Sequence, residues 1–169
     1  MANESQRTSD HVDYVLQQYA TMVYRLAYSY TNSKADAEDV MQEVFMRYIK
    51  RDTCFNSSEH EKAWLIRVTI NCSKSMISSI WHKKTSSIDD QSICADQYFD
   101  ESSDRISVLD AVSKLTSKQR IMVYLFYYEQ LSIKEISKLI RLNESTVKSH
   151  LFRARALLYE LLKGEYENV

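Results

Sequence analysis

Six residues between positions 145 and 156 have the types and spacing to read a nucleic acid: Ser145, Lys148, Ser149, Phe152, Arg153 and Ala156. At about 100° per residue on a helix, all six point away from an apolar stripe of Val147, Leu151, Ala154, Leu158 and Leu161. In a major groove, hydroxyls and cations meet base edges and phosphates, and an apolar group meets a thymine methyl. From Leu131 to Leu158 there are six lysines and arginines against two acids, within a chain whose net charge is −1. Such a local excess is the footprint of a polyanion. A helical hairpin with a merely solvated basic face is the weaker alternative.

The elements that must position this face read as a helix, a tight turn and a second helix. Ser132 can cap the first, and Glu135, three residues on, can reach back to the cap in a capping box. Ile133, Ile136, Leu139 and Ile140 give it one apolar face. The turn Arg141-Leu142-Asn143 contains no glycine; Asn143 suits a second cap and Glu144 the positive end of a helix dipole. A helix-turn-helix is the expectation.

The chain has 169 residues, one glycine and no proline. Strands and tight turns lose their usual punctuation, so the fold should be all-α. A hydrophobic fraction of 44% is ample for packed cores. No apolar run approaches the roughly 20 residues of a membrane span, and MANESQRTSD has no apolar core to serve as a signal peptide. Cys54, Cys72 and Cys94 form no CxxC pair, which points to reduced thiols in a cytoplasm. No His/Cys/Asp grouping has ligand spacing, no glycine-rich loop could hold a phosphate and no nucleophile motif is present. We expect no metal, no cofactor and no enzyme.

Along the chain, a first helix is expected over Asp10–Thr31, with Val12, Leu16, Tyr19, Val23, Leu26, Ala27 and Tyr30 on one face. A second runs Lys34–Arg51, with Ala37, Val40, Met41, Val44, Phe45 and Tyr48 inward. Its outer side carries Asp36, Asp39, Gln42, Glu43 and Met46; spacing alone favours an ordinary wet face over a binding face. Asp52–Glu59 is a break around a lone aromatic, Phe55. A third helix, Glu61–Trp81, faces a core with Leu65, Val68, Cys72 and Met76. Its polar face of Arg67, Asn71, Lys74 and Ser78 suits a nucleic-acid backbone and a solubilising surface equally. Thr85–Asp104 carries six acids and no basic residue, which reads as a flexible, self-extended linker. Ile106, Leu109, Val112 and Leu115 open a second bundle, with helices near Arg105–Leu115 and Ser117–Tyr128. The run Met122–Tyr128 reads as a buried helix. Two small helical domains result, residues 1–84 and 105–169, joined by residues 85–104, and the C-terminal one is the helix-turn-helix.

Laid out in this order, the chain resembles the bacterial RNA polymerase sigma factors, specifically the extracytoplasmic-function (ECF) group. AEDVMQEVFMRYIK (Ala37–Lys50) is similar to the family's core-binding helix, and KAWLIRVTINCSK (Lys62–Lys74) to its promoter-melting helix. Leu115–Leu158 is similar to its fourth region. The resemblance implies that Asp39 and Glu43, flanked by Gln42 and Met46, contact a coiled coil on the polymerase's largest subunit. It implies that Phe55 and the loop Asn56–His60, with Asn71 on the adjoining helix and Arg67 and Lys74 beside it, accept a base flipped from the minus-ten element. Ser145, Lys148, Ser149, Phe152 and Arg153 would read the minus-thirty-five element, and Trp64 would anchor the melting helix. Where the family carries an acid and an arginine after the asparagine, this chain has Ser75 and Ser78. The implied partners are core RNA polymerase, promoter DNA and an anti-sigma protein. The implied location is the cytoplasm, with no insertion into the membrane beyond tethering through that partner. A helix-turn-helix regulator that never meets polymerase, and a helical adaptor for an acidic protein, are the rival readings.

Overall fold

The computed structural model describes residues 2–51, 54–85 and 107–166, and the chain divides into two compact units, Met1–Asp89 and Asp90–Val169. All regular structure among the described residues is helical. The expected linker lies outside the described residues except for Thr85, which is the last residue of a helix.

The first unit is three mutually packed helices: α1 (Ala2–Thr31), α2 (Lys34–Ile49) and α3 (Ser58–Thr85). Asn32, at φ 54°, turns the chain between α1 and α2 in the left-handed region that asparagine tolerates better than most residues. Ser33 then caps α2 by accepting from the Asp36 N–H at 3.3 Å. Val15, Val23, Leu26 and Ala27 meet Ala37, Val40, Val44, Phe45 and Tyr48, with Leu65, Ile66, Ile70 and Cys72 from α3. The buried face of α1 is rotated from the expected one: Val15 and Met22 are inside, whereas Val12, Leu16, Tyr19 and Tyr30 are half-buried. α3 packs on both neighbours, so its buried face is broader than the expected single stripe, and Val68 and Met76 fall to its margins. The buried hydroxyls of Thr69 and Ser73 donate to carbonyls one turn back, at 2.7 and 2.8 Å, and so carry no unpaired donor into the core.

The second unit contains α4 (Val108–Ser113), α5 (Ser117–Val123), a π-helical turn (Tyr124–Tyr128), α6 (Ile133–Ile140) and α7 (Glu144–Tyr166). Capping boxes start three of these helices: Ser107 with Asp110, Thr116 with Gln119, and Ser132 with Glu135. The Ser132 hydroxyl and backbone hold the Glu135 carboxyl below its usual range. α4 is shorter than expected, and Leu109, expected in the bundle, is 80% exposed; Leu115 is buried as expected, and Ala111 is buried with it. The buried Arg120 guanidinium donates to the carbonyls of Ser113 and Leu115 and so satisfies the C-terminal end of α4. The run Met122–Tyr128 is not one buried helix. The Glu129 N–H reaches back five residues to the Tyr124 carbonyl at 3.2 Å, and this wider turn leaves Tyr127 and Tyr128 exposed.

Candidate nucleic-acid interface

α6 ends at Arg141, whose φ of 57° is left-handed; the N–H groups of Arg141 and Leu142 both bond to the Ser137 carbonyl. This closure does without glycine and turns the chain into α7 within three residues. The Asn143 carbonyl takes the Val147 N–H at 3.1 Å, so Asn143 stands at the start of α7. Val147, Leu151 and Ala154 are fully buried, and Leu158 and Leu161 are half-buried. On the other side Ser145, Lys148, Ser149, Phe152, Arg153 and Ala156 are all exposed, Phe152 at 72%. Burying the stripe thus sets a row of hydroxyls, cations and one aromatic in solvent. Among the described residues no carboxylate pairs with Lys148 or Arg153. The Ser149 hydroxyl donates to the Ser145 carbonyl at 2.9 Å and keeps its acceptor lone pairs outward.

Phe55 is not a lone aromatic. Its ring lies parallel to Tyr48 (centroids 6.1 Å apart, planes 9°) and tilted on Trp64 (5.6 Å, 59°). The Arg51 guanidinium carbon sits 4.1 Å from the Phe55 centroid and 5.3 Å from that of Trp64. Phe55 is thus held by a cation over its ring and by two neighbouring aromatics, and it remains half-buried. Asn56 is exposed beside it. Ser57 starts α3, its hydroxyl accepting from the His60 N–H at 3.3 Å and its carbonyl from the Glu61 N–H at 3.1 Å. Along α3, His60, Arg67, Asn71, Lys74 and Ser78 share one exposed stripe. Asn71 lies two turns beyond Trp64 on nearly the same line, about 10 Å along the axis.

Beneath this cluster is a polar contact that the sequence does not announce. The Tyr48 hydroxyl donates to Glu61 Oε1 at 2.6 Å, and His11 Nε2 lies 3.2 Å from the same oxygen. Glu61 is only 5% exposed. Burial, and then the hydrogen bond to Glu61, push the Tyr48 phenol well above its ordinary value.

On α2, Asp39, Gln42, Glu43 and Met46 are exposed together. Glu43 Oε1 accepts from Arg47 Nε at 2.6 Å, so the acidic face is partly neutralised from within its own helix. Among the described residues no His/Cys/Asp/Glu group could hold a metal, and no helix is long and apolar enough to cross a membrane.

Residues 15–82 match the family described as Sigma-70 region 2, and residues 105–158 match Sigma-70, region 4. The chain is 32% identical over 159 residues to the ECF RNA polymerase sigma factor SigM of Bacillus subtilis, covering 89% of this chain and 94% of that one. It is 26% identical over 141 residues to the RNA polymerase sigma factor SigV of the same organism, covering 80% and 81% of the two chains. Among solved structures, the sigma factor RpoE of Bartonella quintana, in complex with the anti-sigma factor NepR, is similar at a TM-score of 0.70 and 26% identity. That match covers 89% of this chain and 96% of the other.

Proposed function

The chain belongs to the ECF group of RNA polymerase sigma factors, which direct promoter-specific transcription initiation, and from that premise we propose how its residues divide the work. α7 enters the major groove of the minus-thirty-five element through Ser145, Lys148, Ser149, Phe152 and Arg153. The observation that carries this is the exposure of all five on the side of α7 opposite its buried stripe. Lys148 and Arg153 supply charge and donors, the serines adapt to base edges, and Phe152 offers an apolar surface to a thymine methyl.

The first unit docks on core polymerase through Asp39, Gln42, Glu43 and Met46, and captures a flipped minus-ten base at Phe55 and Asn56, with Asn71 on the adjoining helix. Arg67 and Lys74 flank Asn71 on the exposed stripe and meet backbone phosphates. Flipping a base costs on the order of a few kcal/mol in lost stacking, so a preset receptor favours the open state. Tyr48, Trp64 and Arg51 support that preset geometry, because they hold Phe55 before DNA arrives. The protein makes and breaks no covalent bond in this scheme; its work is differential binding. It acts in the cytoplasm, with an anti-sigma protein as its restraining partner, in line with the complex known for the Bartonella quintana relative.

Phe55→Ala and Asn71→Ala should each leave closed-complex formation intact and slow melting of the minus-ten region. Permanganate reactivity of its thymines reads this directly. Unchanged reactivity in both variants would remove the pocket from this loop.

A further inference from the structure

We propose that Tyr127 and Arg155 form a preset clamp for a backbone phosphate at the flank of the upstream promoter element, with Arg155 as the contact and Tyr127 as its positioning residue. The proposal rests on the reading of α7 as the groove-entering helix.

Arg155 Nε donates to the Tyr127 hydroxyl at 2.6 Å across 28 residues of chain. Its guanidinium carbon also lies 5.3 Å from the Phe126 centroid and 5.6 Å from that of Tyr127. The π-helical turn makes this possible, because its extra residue brings Tyr127 out of the core, to 52% exposure. With Nε taken by the phenol, both terminal NH2 groups of the guanidinium are left to donate outward. Among the described residues no carboxylate engages them.

Position matters as much as chemistry. Lys148, Phe152 and Arg155 follow one another at spacings of four and three, so they fall within an arc of roughly 60° on α7. Arg155 sits at the edge of that arc nearest the buried stripe, about 10 Å along the axis from Lys148. A groove-entering helix has its flanks against the sugar-phosphate backbone, which carries no sequence information but fixes register. A planar, fixed fork of donors fits a phosphate better than a base edge approached from the side. A purely structural latch would gain little here, since both side chains are exposed and such surface contacts stabilise weakly.

The test uses holoenzyme reconstituted with core polymerase, its promoter binding measured as closed complex over a series of salt concentrations. Arg155→Ala should weaken binding about tenfold, as for one charged hydrogen-bonded contact. It should do so equally on promoters with altered upstream bases, and flatten the salt slope by about one unit. Arg155→Lys should restore the slope while recovering only part of the affinity. Tyr127→Phe keeps the ring and the fold, and should lose affinity with the slope unchanged. Normal affinity and slope in Arg155→Ala would overturn the clamp, as would a loss confined to one base position. A loss that merely follows a lowered melting temperature would also overturn it. Lys148→Ala/Arg153→Ala serves as the control: if it is impaired while Arg155→Ala is not, only the clamp fails. If it too binds normally, the reading of α7 fails with it.

Discussion

Tyr48 of α2 donates a 2.6 Å hydrogen bond to the buried carboxylate of Glu61 on α3, and the other face of its role is a ring lying parallel to Phe55. A carboxylate that is 5% exposed needs partners, and His11 of α1 supplies the second at 3.2 Å. Glu61 thus ties together the three helices of the first unit, and Tyr48, bonded to it, supports the aromatic proposed to receive a base. If Phe55 receives the base as proposed, stability and promoter opening are coupled through this contact.

Tyr48→Phe separates the two roles, since it keeps the ring and deletes the hydroxyl. Leaving a buried acceptor short of a partner costs about 1–3 kcal/mol. For a unit of this size each kcal/mol lowers the melting temperature by roughly 4–8 °C. Thermal melting followed by circular dichroism should show that fall in the transition of the first unit. An unchanged melting temperature would mean that Glu61 is satisfied without Tyr48.

Reversing Asp39 and Glu43 to lysine tests the docking face. Exposed substitutions move stability by no more than about 0.5 kcal/mol, whereas like charges forced together at an interface cost several kcal/mol. Glu43→Lys also removes the partner of Arg47 and sets two cations one turn apart, a penalty of only a few tenths of a kcal/mol. The variant should keep its helical spectrum and fail to co-purify with core polymerase. Retained binding at physiological salt would return both acids to ordinary solvated surface.

His150 gives the second unit a pH dependence of known sign. Burial first, then the charges of Lys118 and Arg153, hold its imidazole below the ordinary histidine value. The unfolded chain therefore binds the proton more readily than the folded one does. Stability is complete above about pH 6.5, the unperturbed value, and is lost as pH falls from there through the depressed folded value. Melting of the second unit between pH 7.5 and 5.5 should show this loss, and His150→Gln should reduce it. An equal slope in the variant would assign the dependence to other groups.

Some of this was legible in the sequence, for physical reasons that differ from element to element. The α6–α7 hairpin could be read because its signals are local: a capping box at Ser132, an unbroken stripe from Val147 and a surplus of cations. The outer face of α2 was equally visible as exposed, but spacing alone could not show Arg47 bonded to Glu43. Glu61 was illegible because, near the start of a helix, it looks like any acid favoured by the dipole. Its burial depends on Tyr48, 13 residues away, and His11, 50 residues away. The π-helical turn has no residue signature of its own, so Met122–Tyr128 read as a plain helix and the reach of Tyr127 to Arg155 went unseen. The left-handed turn at Arg141 was hidden in the same way, since no glycine marks it.

The most direct test of the central claim is run-off transcription with purified core polymerase and this chain on a promoter identified by mapping transcript starts. Core with the wild-type chain should give one discrete start that core alone does not. Lys148→Ala/Arg153→Ala should lose that start, and supplying the template with a pre-melted minus-ten region should bypass the defect of Asn71→Ala. A chain that binds the promoter yet gives no start with core would contradict the claim and leave a helix-turn-helix regulator in its place.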